Sequence, residues 1–400
     1  MKRPLVVAPS LTAGIGRPDQ IRLTGKFVSG MQAHVDHWDG PVKLLIEPDD
    51  NEGSVNLDDV WVRVNDLPFQ VVLARFDSDL AKRTMAEAAV VMGGPDHRMN
   101  HAATTCAKAG VPFVLVTEYS LKTRLQIVDA DHPVFWRRWR RHRWTNGQEK
   151  AIVATVRQAA GLQCNGTPTY DAYRELNPNT LLYFDSRVSR QMMPSEPGLA
   201  SREVAFGPRH PIRLAFSGRL TPMKGADHLV KVAVALRELG VPFRMDIYGD
   251  GPLAPGMAQE IRNHGLGDQV ALGGVLDFES ELMPRIRSEI DLFVCCHRQG
   301  DPSCTYLETL GCGVPIVGYA NEAFAGLLQH CDGGRSVPMD DWKALAAEIS
   351  RLAGDREQLL ALAHAGLAFA WRHPCESEFL ARMNHLKSLQ ERFAGALSMA

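Results

Sequence analysis

Much of what this 400-residue chain could be is excluded by what it lacks. No apolar run approaches the roughly eighteen residues of a membrane-spanning helix. The opening Met1-Lys-Arg-Pro-Leu-Val-Val-Ala-Pro9 holds no apolar stretch long enough for a secretory signal, which predicts a cytoplasmic location. Neither sign of charge is in excess: 44 Lys and Arg stand against 46 Asp and Glu, a formal net charge of -2. That balance argues against general nucleic-acid binding, so any electrostatic partner must meet a local patch. The eight cysteines include no pair with the two-residue gap that zinc sites favour. Cys106, Cys164, Cys331 and Cys375 are isolated, while Cys295 and Cys296 sit side by side in an apolar run. In a reducing compartment they read as free, buried thiols. No internal repeat or low-complexity tract occurs.

What is present is an alternation of short apolar runs with helical segments, the pattern of βαβ units and parallel sheets. In the first half the strand-like runs are 5–8, 43–46, 70–73, 89–92, 112–116, 160–164 and 181–184. Residues 191–211 turn to Pro, Ser, Gly and Glu, the composition of a linker. A second series then runs through 212–216, 243–248, 269–272, 291–295 and 314–317, and the tail from Asp340 is helical. The expected architecture is α/β, with two doubly wound, Rossmann-like domains facing a cleft. Its boundaries fall at 1–195 and 205–373, with a helix over 374–400 packing back on the first domain. In such sheets ligands bind at the carboxyl ends of strands.

Two segments carry the chemistry. In Phe216-Ser-Gly-Arg-Leu-Thr-Pro-Met-Lys-Gly225 a strand ends at Gly218, Arg219 occupies the turn, and Lys224 follows at a helix start. A guanidinium fork, an ammonium and exposed helix amides suit a diphosphate, although a surface loop with two solvated cations reads the same way. Downstream, Pro302-Ser303 opens a helix holding Cys304, Thr305 and Glu308, and the helix ends at Gly311-Cys-Gly313. Glu308 has the reach to accept two hydrogen bonds from a ribose diol, or is an ordinary acid near a helix N-terminus. In the first half, Ala13-Gly14-Ile-Gly16 reads as a turn between a strand and a helix. Glu118 lies just past a strand end, as an acceptor contact, a base or a solvated loop acid. Gly93, Gly94 and His97 hold a similar position one strand earlier.

These segments, with Tyr248-Gly249-Asp-Gly251-Pro252 and Val270-Ala-Leu-Gly-Gly274, resemble the donor half of glycosyltransferase family 4 over about residues 212 to 370. The resemblance implies the two-domain GT-B fold and metal-independent transfer, with retained configuration, from a UDP- or GDP-type nucleotide sugar. That donor is a substrate, so neither cofactor nor metal is implied. Arg219 and Lys224 would hold the diphosphate, Glu308 the ribose, and the amides of Ser303, Cys304 and Thr305 the distal phosphate. Gly218, Gly249 and Gly251, with Gly14 and Gly16 from the first half, would complete the donor contacts. The catalytic set would be Arg219, Lys224, Asp301 and Glu118. One position departs from the family. Its first glutamate would fall at Gly300, with Asp301 one residue along as a shorter substitute. A nucleotide-sugar epimerase of the same fold and a non-catalytic sugar-nucleotide binder are the rival readings.

Phe135-Trp-Arg-Arg-Trp-Arg-Arg-His-Arg-Trp144 stands apart, with three of the seven tryptophans and five arginines. At helical spacing Phe135, Trp136 and Trp139 share a face, and Arg137, Arg138 and Arg141 lie largely opposite. Trp favours a membrane interface and Arg attracts anionic headgroups. This predicts peripheral docking on the inner membrane face and a lipid or lipid-linked acceptor. Packing of the aromatics on the protein body is the alternative.

Overall fold

The computed structural model of the protein describes residues 2–49, 59–131, 134–195, 199 and 210–399. Most of the expected linker therefore lies outside the described residues. The chain opens with β1 (Leu5–Ala8), a hairpin of β2 (Thr12–Arg17) and β3 (Gln20–Thr24), and α1 (Gly25–His37). Strands β4 (Val42–Asp49), β5 (Asp59–Arg63) and β6 (Gln70–Leu73) follow, then α2 (Asp79–Ala86), β7 (Val90–Gly93) and α3 (Ala102–Lys108). The first half closes with β8 (Phe113–Thr117), α4 (Leu121–Asp131), α5 (Phe135–Gln158), β9 (Gly161–Asn165), α6 (Thr167–Tyr173) and β10 (Thr180–Tyr183).

The sheet order is β10-β9-β8-β7-β1-β4-β2-β3-β5, with β6 pairing β4. Strand β1 is parallel to both β4 and β7. Because both faces are covered, β1 is apolar throughout. Val6 and Ala8 feed one core cluster, while Leu5 and Val7 feed the other. The chain winds outward from β1 to β4 and then returns to β7, so the strand order reverses beside β1. The crevice for a ligand opens there.

The second half holds β11 (Ile212–Ser217), α7 (Ala226–Glu238), β12 (Phe243–Tyr248), α8 (Ala254–Asn263), β13 (Val270–Gly274) and α9 (Met283–Glu289). Then come β14 (Leu292–Cys295), α10 (Cys304–Gly311), β15 (Ile316–Tyr319), α11 (Glu322–Leu327) and β16 (Gly334–Val337). Its six parallel strands run β13-β12-β11-β14-β15-β16, so the order reverses between β11 and β14. The segments after those two strands are the ones singled out in the sequence. Helices α12 (Trp342–Gly354), α13 (Arg356–Arg372) and α14 (Cys375–Met399) complete the chain.

Helix α14 leaves the second half and packs on the first. Met383, Leu386 and Leu389 join the core that contains Leu5, Val7 and Val114. Gly161 makes room for this: a methyl there would lie 2.5 Å from Leu389 Cδ1. The two halves also meet directly, with α6 packed against α11. All eight cysteines are free, and six are buried.

Four strands, β2, β3, β5 and β16, were not foreseen. Residues 12–17 pair antiparallel with 20–24 through a turn at Pro18-Asp19, where Asp19 has φ 55°. Gly14 and Gly16 therefore lie in a strand rather than in a turn that faces phosphates. The space beside Gly14 is taken by the Arg22 side chain, at 2.9–3.1 Å from where a Cβ would be. Helix α1 begins only after the hairpin, which moves the cleft-facing helix start to Gly25-Lys26.

Candidate active site

Lys224 sits in a 3-10 turn, Pro222–Lys224, between β11 and α7. Gly225 follows with φ 65°, a left-handed conformation suited to glycine, and a side chain there would overlap the Cys296 carbonyl. Arg298 fixes the turn from the β14 side. Its amide donates to Met223 O at 3.0 Å and its guanidinium to Pro222 O at 2.6 Å. The same guanidinium reaches Asp227 at 2.7 and 2.9 Å and Asp340 at 2.5 Å. Lys224 is buried, and its ammonium donates to Asp301 Oδ2 at 3.0 Å. Asp301 Oδ1 is also buried and has no hydrogen-bond partner among the described residues. The pair therefore joins the two loops at the reversal point. Arg219, from the same turn, is exposed toward solvent.

The expected glycine contacts resolve differently. Gly218, φ 151°, donates its amide to Tyr248 O at 3.0 Å, and Leu220 donates to Asp250 O at 2.9 Å. A side chain at Gly249 would strike Gly218 O, and one at Gly251 would meet the Leu220 backbone at 2.6–2.9 Å. Gly249 and Gly251 thus let two strand-end loops pack backbone to backbone, and they shape the site from behind.

Helix α10 starts at Cys304. Its N-cap Ser303 makes no side-chain bond to the helix amides, and its hydroxyl instead donates to Thr305 Oγ1 at 3.2 Å. The first turn is left open to an anion. Glu308 is buried, and its Oε1 accepts from Arg187 Nε at 3.0 Å. Arg187 in turn lies over the Phe278 ring at 3.7 Å.

Gly300 is wedged between the halves. Its carbonyl accepts from Thr123 Oγ1 at 3.1 Å and its amide donates to Gln126 Oε1 at 3.3 Å, both from α4. A Cβ at this position would lie 2.9 Å from Glu322 Cβ and 3.0 Å from Thr123 Oγ1. Beside it, Ser120 donates to Glu322 Oε2 at 2.6 Å, also across the halves.

From the first half, the ends of β8, β9 and β10 present a polar row. Asn165 donates to Glu118 Oε1 at 3.4 Å and accepts from the Asp185 amide at 3.0 Å. Lys26, in the first turn of α1, donates to Asp185 Oδ2 at 2.6 Å and to Cys304 Sγ at 3.2 Å. Glu118 is open to solvent but crowded by the cleft. Burial foremost, then Asp185, raises its carboxyl above the usual range, with Lys26 opposing. Burial also pushes the Cys304 thiol up to about 12, so it is neutral at ordinary pH. Asn165, Asp185, Pro302, Ser303 and Tyr306 line a small cavity where the halves meet.

Lys224, Asp301, Ser303, Cys304 and Thr305 thus gather at one place, with Glu308 deeper in α10 and Glu118 across the cleft. His97 lies away from that gathering, with its ring 5.6 Å from Trp144. Reasoning from sequence missed Lys26, Asn165, Asp185 and Arg187. Each is a single polar residue at a strand end or helix start, and that position was the only available signal.

Helix α5 carries the basic aromatic segment at its start. Phe135 is 72% exposed, Trp136 55%, Trp139 52% and Trp144 44%, with Trp144 edge-to-face against His97. Arg137, Arg141 and Arg143 lie over Trp136, Trp144 and Trp139 at 4.8–5.2 Å. No helix among the described residues is long and apolar enough to cross a membrane.

The family model for glycosyl transferases group 1 matches residues 201–367. An exopolysaccharide phosphotransferase of Streptomyces coelicolor is 28% identical over 201 residues, covering 48% of this chain and 20% of that protein. A D-inositol 3-phosphate glycosyltransferase of Stackebrandtia nassauensis is 25% identical over 247 residues, covering 58% of this chain and 54% of that protein. The chain thus spans between a fifth and about half of the length of these relatives. The crystal structure of Anabaena HepE in complex with UDP superposes with a TM-score of 0.65 at 14% identity, covering 100% of both chains. The chain has the two-domain GT-B fold, and the family match falls within its second half.

Proposed function

We propose that the protein moves a glycosyl group from a nucleoside-diphosphate sugar to an acceptor hydroxyl with retained anomeric configuration and without a metal ion. The observation that carries this reading is the buried Lys224 ammonium beside the uncapped start of α10, within the matched domain. Both are positive features at a strand-order reversal, and both suit a diphosphate that gains charge as it departs. The bond from the anomeric carbon to the phosphate oxygen breaks, and the acceptor oxygen bonds to that carbon. The acceptor's proton leaves with the phosphate, while Glu118 holds the acceptor hydroxyl from the first half. Close contact between the halves limits water at the reacting carbon. Similarity to a protein solved with UDP supports a nucleotide-sugar donor.

The acceptor proposed is a membrane lipid or lipid-linked glycan, met at an anionic inner membrane surface through residues 135–144. Four exposed aromatics interleaved with arginine support this, since each arginine near such a surface contributes about 1 kcal/mol. The test of transfer is an acceptor screen with radiolabelled nucleotide sugars. Label should move from donor to acceptor. Donor binding without transfer to any acceptor, or interconversion of the sugar alone, would overturn the reading.

A further inference from the structure

We propose that Lys26 of the first domain is a ligand of the donor's distal phosphate, held by Asp185 until the donor enters. This deepens the proposed function and rests on it. Electrostatics at the start of α10 raise the question. A helix N-terminus carries a partial positive charge and favours anions. Here the residue opposite that end is a lysine: Lys26 Nζ lies 3.2 Å from Cys304 Sγ, on the first residue of α10. With no side chain capping the α10 amides, two positive features face one another across the cleft. Asp185 Oδ2 compensates, at 2.6 Å from Lys26 Nζ and 3.6 Å from Cys304 Sγ.

Only that carboxylate makes such an arrangement favourable. A phosphate between the Lys26 ammonium and the α10 amides satisfies both at once. The local fold aims Lys26 there. The β2–β3 hairpin delivers the chain to Thr24, whose hydroxyl accepts from the Phe27 amide at 3.2 Å and starts α1. Lys26 follows in the first turn, with its side chain 46% exposed and within reach of a ligand. Burial opposes its charge, but the Asp185 carboxylate and the hydrogen bonds to Asp185 and Cys304 outweigh this and hold its pKa above the usual lysine value. The residue therefore stays cationic at any working pH. Lys224 would grip the diphosphate from the second domain and Lys26 from the first, so donor binding would draw the two halves together.

The experiment is a calorimetric titration of the full chain with UDP, GDP, UMP and GMP, comparing wild type with Lys26→Ala, Lys26→Arg, Asp185→Asn and Lys224→Ala. Lys26→Ala should weaken the preferred nucleoside diphosphate at least about tenfold, as expected for a lost charged hydrogen bond. It should leave the monophosphate within about twofold, and Lys26→Arg should recover most of the loss. Asp185→Asn, which removes the competing anion, should bind the diphosphate more tightly, an effect that damaged folding would not produce. Diphosphate affinity unchanged in Lys26→Ala while Lys224→Ala loses it overturns this inference alone. Equal loss of mono- and diphosphate in Lys26→Ala does so too. If neither diphosphate binds wild type, the proposed function falls and this inference with it.

Discussion

Gly300 occupies the place where the resembling family carries a glutamate, and its surroundings allow a quantitative test of what that change means. Introducing Ala puts a Cβ 2.9 Å from Glu322 Cβ and 3.0 Å from Thr123 Oγ1. Ordinary carbon contacts lie near 3.5–4.0 Å, so the neighbours must yield by about half an ångström or more. Overpacking of this kind costs about 1–3 kcal/mol. Glu adds a carboxylate in a closed interdomain contact beside Glu322, whose own carboxylate is already engaged by Ser120. An uncompensated charge there brings the total to about 3–5 kcal/mol. In a domain of this size each kcal/mol lowers the melting temperature by about 2–4 °C. Gly300→Ala should therefore melt a few degrees below wild type, and Gly300→Glu about 6–20 °C below. Differential scanning calorimetry on the purified full chain measures both. A Gly300→Glu protein that melts within about 1 °C of wild type would refute the claim that this glycine exists to let α4 approach.

Four further outcomes follow from the site. Lys224→Ala should lower transfer at least about a hundredfold in a folded protein, while added chelator leaves wild-type activity intact. Near-normal turnover of that variant, or chelator inhibition reversed by magnesium, would end the diphosphate assignment. Asp301→Asn should depress turnover more than donor affinity in parallel kinetic and binding assays; equal losses would reduce Asp301 to a donor contact. For Glu118 the folded pKa is raised, so the folded state binds the proton more tightly than the unfolded chain does. Its ionisation thus costs stability above that pKa, and stability returns as pH falls through it. The melting temperature of wild type relative to Glu118→Gln should accordingly rise on acidification from neutral, and a pH-independent difference would contradict it. Wild type should pellet with anionic vesicles at low salt and release as salt rises. A variant with Arg137, Arg138, Arg140 and Arg141 changed to Ser should stay in solution, and equal sedimentation would remove the membrane proposal.

The second half was largely legible in the sequence because its signals are local. An apolar run, a glycine, a cation and a helix start occur in fixed order, and the strand-to-helix geometry converts that order into a site. The hairpin at 12–24 was not legible. Gly14 and Gly16 resembled a ligand-facing turn, and the real turn signal, Pro18-Asp19, was passed over. Asp185 and Arg187 carry no local pattern at all. Their meaning comes from partners 119 and 121 positions away, Cys304 and Glu308, which only the contact between the halves brings near. Gly300 read as a missing acid. In the fold it is a point of closest approach, and sequence spacing cannot reveal which neighbour fills the space beside a glycine.

Helix α14 has a consequence for how the protein is made. Asn179 in the first half accepts from His385 at 3.1 Å, although the two are 206 positions apart. Met383, Leu386 and Leu389 belong to the core around β1. On the ribosome, the first domain must wait for them, about 10–40 s at roughly 5–20 residues per second. During that interval the apolar surface that Met383, Leu386 and Leu389 cover is exposed. Separating the two halves by a cut within 196–209 would therefore leave the first one without part of its core.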